Sequence, residues 1–467
     1  MNETSPDAIT VDSVPTDTFD PTDGAEAPCS TGCTAAAKAT GPAASAESAT
    51  SFRAEFVGLA PFLRASIAGV DLRPLGEDAL TQVQADPTRA DRWMNLSTIM
   101  LCLGQQELGL TLQKQALQLQ RIYFLPAKIR PARYRLLMLM MPGDLAANTP
   151  LDCLLEHSDV DLIYYFLGIE EPFPEPLPDH DALLVAMSES DENLAHLEFL
   201  EGALAQWPRP VLNLPRHIPR VDRALASNLL QGIPGLLMPP TLRVPRERLV
   251  DLCQGRCALP DLGDLVDQAG SGSAAGGMAF PIILRPVGSQ AGKDLERFTA
   301  VEEIPAYLDR VADTHFFLSP FVDYRHADGT YRKMRIALIE GQTYACHMAV
   351  SDHWMVHYIN AGMYQEAWKR EQELAFMEQF ERFQTRHHEA LAAIARAVDL
   401  DYVCIDCAET PDGRLLVFEL DHAMIVHAMD SEELFPYKQI HMQKVRDAFR
   451  DMLLRRQEAF LATAAQP

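Results

Sequence analysis

The chain lacks long apolar runs, an excess of positive charge and a paired-cysteine framework, and each absence removes a class of protein. No apolar run approaches the roughly 20 residues that cross a bilayer, and the acidic N-terminus lacks the basic and apolar regions of a secretory leader. Lys and Arg number 40 against 65 Asp and Glu, a formal net charge of −25. That balance argues against nucleic acid or an anionic membrane as a partner, although a local basic pocket would not show in the sum. Nine cysteines in 467 residues are too few for a disulfide framework, and an odd count leaves at least one unpaired. Reduced thiols and a soluble, cytoplasmic protein of two to four domains are expected.

Residues 1–51 have almost no large apolar side chains and are rich in Ala, Thr, Ser, Pro and Asp. Such a stretch cannot offset chain entropy by burial, so a disordered tail is expected. Cys29 and Cys33 lie within it, without the further ligands that a zinc site needs. Residues 52–130 form a helical region. From Ala79 to Leu125 apolar residues recur at spacings of three and four, through Trp93, Leu96, Ile99 and Met100, then Leu108, Leu112, Ala116 and Leu119. That periodicity predicts two antiparallel helices. With Gly104 between them, the pattern resembles a tetratricopeptide repeat. One such unit is not stable alone, so it is expected either to be flanked by degenerate helices or to dock on the next domain, with a protein partner a secondary reading.

At Arg133 the pattern shifts to strands, YRLLMLMM, VDLIYYFL and ALLVAMSES, separated by helical segments including Glu192 to Trp207. PVLNLP adds a short strand. This alternation predicts an open, mostly parallel sheet over residues 131–245, whose ligands bind beyond the strand ends. Ser188, Glu189, Ser190 and Asn213 are the candidate contacts there. Gly270 to Gly277, GSGSAAGG, reads as a flexible connector.

The following stretch, PIILRPVGSQAGKDLERF, runs a strand into a loop with Gly288, Ser289 and Gly292. Glycine lets backbone amides approach an anion, and Arg285 and Lys293 on either side suit a polyphosphate. The spacing matches neither GxxxxGK[ST] nor GxGxxG. FFLSPFVDY, Phe316 to Tyr324, is an apolar strand ending in a polar break. The hairpin over Gly329 to Val350 places Lys333 and Arg335 on one face, and Phe376 to Val398 reads as one amphipathic helix.

That helix delivers the chain into YVCIDCAETPDGRLLVFELDH, Tyr402 to His422. Reading Asp412-Gly413 as a two-residue type I′ turn sets Asp406 opposite Glu419, with Asp421 on the same face. Opposed carboxylates repel at such a distance, so the hairpin is either a divalent-cation site or a solvated edge with surface acids. Cys404 and Cys407 point to opposite faces, which argues against a redox pair. Cys253 and Cys257 are expected to be ordinary thiols. His347, His353, His357 and His427 are expected to be satisfied or exposed, with His422 the exception to watch because it borders the acids.

In this order the four stretches resemble the ATP-grasp superfamily of carboxylate-amine ligases, including D-alanine ligase and the ribosomal-protein glutamate ligase. The resemblance covers about two thirds of the chain. It implies an α/β and α+β fold: a parallel-sheet domain (131–245) before two ATP-binding lobes (246–467), a glycine-rich lid lobe near 246–320 and a metal-binding lobe near 321–467. It further implies ATP and Mg2+ as cofactors, with Asp406, Glu419 and Asp421 as metal ligands at the family's spacing. Arg285, Gly288, Ser289, Gly292 and Lys293 would take phosphates. Ser319, Phe321 and Val322 would seat adenine, Asp323 the ribose, and Arg335 with Lys333 the transferred phosphoryl. Three departures stand out: Arg285 where Lys is usual, Asp421 where Asn is usual, and Cys404 where several ligases carry Arg.

The implied function is an ADP-forming ligase that activates a small-molecule or peptide carboxylate as an acylphosphate for attack by an amine. A kinase-like phosphotransferase and a catalytically weak adaptor are the alternatives, and a homodimer is compatible with either.

Overall fold

The computed structural model describes residues 55–168, 173, 177–262, 278–290 and 292–464. The tail with Cys29 and Cys33, and the Gly270 to Gly277 stretch, lie outside the described residues. The chain begins with four helices, α1 (Ala60–Ile67), α2 (Arg73–Ala85), α3 (Ala90–Cys102) and α4 (Gln106–Leu119). Trp93, Leu96 and Ile99 of α3 and Leu112 and Ala116 of α4 are buried, as their spacing requires. The helical reading runs too far at its end. Gln120 turns extended, and Ile122–Leu125 is strand β1, antiparallel to a later strand. Its isoleucine, tyrosine and phenylalanine suit a pleated surface better than a further helical turn.

The alternating segment then folds as expected. Strands β2 (Tyr134–Met140), β3 (Val160–Phe166), β4 (Ala182–Val185) and β5 (Val211–Leu212) alternate with helices α5 (Leu151–Leu154) and α6 (Asp191–Leu204). Their sheet has the order β1-β3-β2-β4-β5, parallel throughout except for β1. Asn213, expected to meet ligand, is instead a clamp between layers. Its side chain exchanges hydrogen bonds of 2.9 and 3.0 Å with the Tyr402 backbone, and its own N–H donates to Asp401 at 2.8 Å.

Next come α7 (Arg223–Leu229), β6 (Leu236–Leu237), β7 (Leu242–Pro245), α8 (Arg246–Cys253), β8 (Ile282–Pro286), β9 (Glu296–Phe298), α9 (Ile304–Arg310) and β10 (His315–Pro320). An antiparallel sheet β7-β10-β8-β9 encloses its own core of Leu242, Val244, Ile282, Leu284, Phe316 and Leu318. The rest of the chain comprises β11 (Tyr331–Ile339), β12 (Gln342–Ser351), α10 (Ala367–Glu378), α11 (Phe380–Arg386), α12 (His388–Val398), β13 (Tyr402–Glu409), β14 (Leu415–Asp421) and α13 (Lys438–Ala464). The third sheet has the order β12-β11-β13-β14-β6, with only β6 parallel to its neighbour.

The single helix expected over Phe376 to Val398 is three pieces, broken at Gln379 and His387. His387 is buried against Phe383 and bonds Glu409 through Nε2 at 2.8 Å. That polar anchor, together with the ring packing of Phe376, Phe380 and Phe383, fixes the bends.

The α1–α4 region shares its core with the body. One cluster joins Trp93 and Leu112 to Leu136 and Met138 of the first sheet, Ala337 and Cys404 of the third, and Phe449 and Leu453 of α13. Cys404 and Cys407 belong to different clusters, as strand alternation requires. Cys253 and Cys257 are free thiols, as expected. No helix among the described residues is long and apolar enough to cross a membrane.

Candidate active site

Between the second and third sheets lies a cavity of about 530 Å³, and the β13–β14 hairpin forms part of its wall. The register places Asp406 opposite Glu419 and Cys404 opposite Asp421. The turn that produces it is not the expected one. Thr410 N–H donates to Arg414 O at 3.0 Å and Gly413 N–H to Thr410 O at 2.9 Å, so three residues, Pro411, Asp412 and Gly413, form the loop. Gly413 has φ +85° while Asp412 is not left-handed, whereas a type I′ turn needs both. The longer loop shifts the pairing by one residue, and a bulge at Phe418, between the Asp406 and Cys407 pairs, shifts it back. Two deviations cancel, and the acids still face each other.

What neutralises these acids is basic side chains. Arg335 donates to both Asp406 oxygens, from Nε at 2.8 Å and Nη2 at 3.1 Å, and Lys333 Nζ lies 2.7 Å from Oδ2. Burial alone would raise the Asp406 carboxyl, but Arg335 and Lys333 outweigh it and hold it well below the usual range. Arg223, the first residue of α7, ion-pairs with Glu419. Burial opposes ionisation of Glu419 as well, and Arg223 and Lys333 overcome it. Asp421 has no such cation in contact among the described residues; it accepts from Ala423 N–H at 2.8 Å, and burial raises its pKa.

Arg285 of β8 reaches into the same cavity and is pinned by Ser289, through Nε to Oγ at 3.2 Å and through Nη2 to the carbonyl. Burial and then the neighbouring Arg223 lower its pKa to about 9. Four cations, Arg223, Arg285, Lys333 and Arg335, therefore line one cavity with Asp406, Glu419 and Asp421. Gly292 also lines it, at φ +73°, where a Cβ would come within 2.5 Å of His357 Nε2. Ser319, Phe321 and Val322 also line it, with Ile283, Leu416 and Phe418 as apolar neighbours.

Other expected residues stand apart. Gly288 and Lys293 are exposed, and Ser289 spends its polar atoms on Arg285. None of the three lines the cavity. Asp323 is exposed, accepts from Arg325 N–H at 3.1 Å and does not line the cavity. His422 is fully buried and its Nε2 donates to Met187 O at 2.9 Å, tying the hairpin to the first sheet. His347, His357 and His427 reach the cavity wall. Arg223 is the contributor the sequence did not disclose: it lies 196 residues before Glu419, in a helix start without a motif.

A three-carboxylate magnesium site does not fit these positions as they stand. Both Asp406 oxygens are committed to Arg335 and Lys333, one Glu419 oxygen to Arg223, and one Asp421 oxygen to backbone. Among the described residues, no group of three His, Cys, Asp or Glu side chains is arranged to hold a metal ion.

Neither a protein-family model nor a curated protein matches the chain. Solved structures similar to it include D-alanine–D-alanine ligase from Bacillus anthracis complexed with ATP, at 14% identity and a TM-score of 0.40, covering 70% of this chain and 99% of that one. VanG D-Ala:D-Ser ligase from Enterococcus faecalis matches at 12% identity and 0.41, over 68% and 99%. The ATP-grasp ligase PsnB, complexed with a phosphomimetic variant of its minimal precursor, Mg and ADP, matches at 13% and 0.34, over 68% and 98%. Likeness of this degree assigns no activity, so function has to be argued from the cavity itself.

Proposed function

We propose that the cavity binds ATP and serves an ADP-forming ligase that joins a carboxylate to an amine. The observation that carries the reading is the convergence of Arg223, Arg285, Lys333 and Arg335 on one cavity that the segment Ser319 to Val322 also lines. A triphosphate needs several cations in a dry site, where each counts for more than in water. A planar base needs an apolar slot edged by backbone groups.

Arg223 and Arg285 would hold the inner phosphates, and Gly292 allows the loop carrying Arg285's partner Ser289 to pack against them. Arg335 and Lys333 would meet the transferred phosphoryl. Its arrival would draw these two from Asp406, exchanging a protein carboxylate for a substrate anion. In line with the general economy of phosphoryl transfer, their contribution is positioning and charge stabilisation. Because the carboxylates as placed do not form a metal site, no step is assigned to magnesium.

Incubation of the full chain with ATP and paired carboxylates and amines, in magnesium-containing buffer, tests the reaction class. ADP together with a condensed amide is expected. A stable phosphorylated product without condensation would instead support a phosphotransferase.

A further inference from the structure

The stretch after β12 brings to the cavity a side chain that the nucleotide reading has not used. Trp354 to Ile359 line it, and the stretch is pinned at three points. Tyr324 Oη donates to Trp354 O at 2.6 Å, Val356 is buried in the main core, and Tyr358 Oη donates to Glu373 at 2.9 Å. His357 stands between the last two anchors and is half-buried.

The buried imidazoles His217, His387 and His422 are each tied down, to Asp399 O at 2.7 Å, Glu409 at 2.8 Å and Met187 O at 2.9 Å. His357 is not: neither of its ring nitrogens has a hydrogen bond or ion pair among the described residues. The charges acting on the ring are Lys333, Glu419, Asp406 and Arg285, in that order. Both acids face cations instead, Asp406 pairing with Arg335 and Lys333 and Glu419 with Arg223. Burial, then Lys333, hold the pKa of His357 below the usual histidine value, so at neutral pH the ring is uncharged, with one N–H and one lone pair. An uncharged donor adds nothing to the repulsion between Lys333 and Arg285 before an anion arrives, yet it can still meet a phosphate oxygen.

Gly292 is the complement of this ring. A Cβ added there would stand 2.5 Å from His357 Nε2 and 3.4 Å from Cδ2. The Cδ2–Nε2 edge therefore lies against the glycine, and both residues line the cavity. The loop comes this close to the imidazole because residue 292 has no side chain.

We propose that His357 is a phosphate-binding residue whose Nε2–H donates to the terminal phosphate of ATP beside Lys333, and that it thereby sets a preference for ATP over ADP. The terminal position follows from the order of its neighbours: Lys333, assigned to the transferred phosphoryl, acts on the ring more strongly than Arg285, assigned to the inner phosphates. An anion at Nε2 selects the tautomer that carries its proton there. The proposal rests on the reading of the cavity as an ATP site.

Calorimetric titration of the full chain with ADP and with adenylyl imidodiphosphate, a non-hydrolysable ATP analogue, is the test. His357→Ala should weaken the analogue by roughly tenfold or more, and ADP by less than about twofold. His357→Leu takes its place should the alanine variant not fold. His357→Gln, whose amide supplies an N–H near the position of Nε2, should bind the analogue within about threefold of wild type. Gly292→Ala should weaken the analogue about tenfold when His357 is present and less than about threefold in the His357→Ala background.

Undiminished analogue affinity in the folded variant without the imidazole, an equal loss for ADP and analogue, or no recovery by glutamine would each overturn the phosphate contact. A tenfold cost of Gly292→Ala that persists without the imidazole would overturn the pairing of the two residues. Failure of both nucleotides to bind folded wild-type protein would overturn the ATP reading and this contact with it. That outcome is distinct from binding by the wild type that the His357 variants leave unaltered.

Discussion

Asp406 is 2% exposed and would be untenable as an isolated charge. Arg335 and Lys333 make it tolerable, and their two-to-one excess of positive charge is what readies the pocket for an anionic ligand. Asp406→Asn should therefore leave Arg335 buried with half its partner lost and destabilise the fold by about 3 kcal/mol. Urea unfolding measures this, and a change below about 1 kcal/mol would show the pair to be no better than a surface bridge. Glu189 gives a pH-dependent counterpart. Burial, then Asp222, Asp191 and Asp421, raise its pKa from 4.5 to about 7. A raised carboxyl pKa means that the folded state holds a proton which the unfolded state has released, so stability falls as pH rises between about 4.5 and 7. Glu189→Gln should be neutral at pH 4 and stabilising by about 1–3 kcal/mol at pH 8, read from unfolding at the two pH values.

At the scale of single elements, what the sequence disclosed and what it concealed differ by range. The buried strands β2 and β3, the apolar faces of α3, α4 and α12, and the segment Phe316 to Tyr324 were legible because their signals lie within a few residues. So was the opposition of Asp406 and Glu419, although for a reason only partly right, since the three-residue loop and the Phe418 bulge compensate each other. The partners of the acids were not legible. Arg223 reaches Glu419 across 196 residues, and no local period encodes such a meeting. Likewise, the break at His387 depends on Glu409, which is distant in the chain.

Two glycines separate turn geometry from site geometry. Gly413→Ala forces a left-handed alanine at the hairpin tip, costing about 1–2 kcal/mol, and should leave nucleotide affinity unchanged. Gly292→Ala adds the clash with His357 and should lower nucleotide affinity about tenfold, or about 1.4 kcal/mol. Calorimetry on both variants checks the contrast.

For the molecule as a whole, the helical region and α13 are structural parts of the body. Arg450 of α13 reaches Asp159 at 2.6 Å and Arg446 reaches Leu154 O at 3.2 Å, so the last helix ties the third sheet to the first. At the other terminus Asp152 anchors α1, its carboxylate accepting from Leu59 N–H at 2.6 Å and Ala60 N–H at 2.9 Å. Asp152→Ala would orphan two backbone donors and should cost about 2 kcal/mol, visible as a lower unfolding midpoint. An unchanged midpoint would mean that α1 is loosely attached.

The central claim is that one cavity takes a nucleotide by Arg223, Arg285, Lys333 and Arg335. Calorimetric titration of the full chain with a non-hydrolysable ATP analogue tests it most directly, beside the double variant Arg223→Ala, Arg285→Ala. Saturable one-to-one binding by the wild type, weakened at least a hundredfold in the folded double variant, is the predicted result. Absence of binding to folded wild-type protein, or undiminished affinity in the variant, would contradict it.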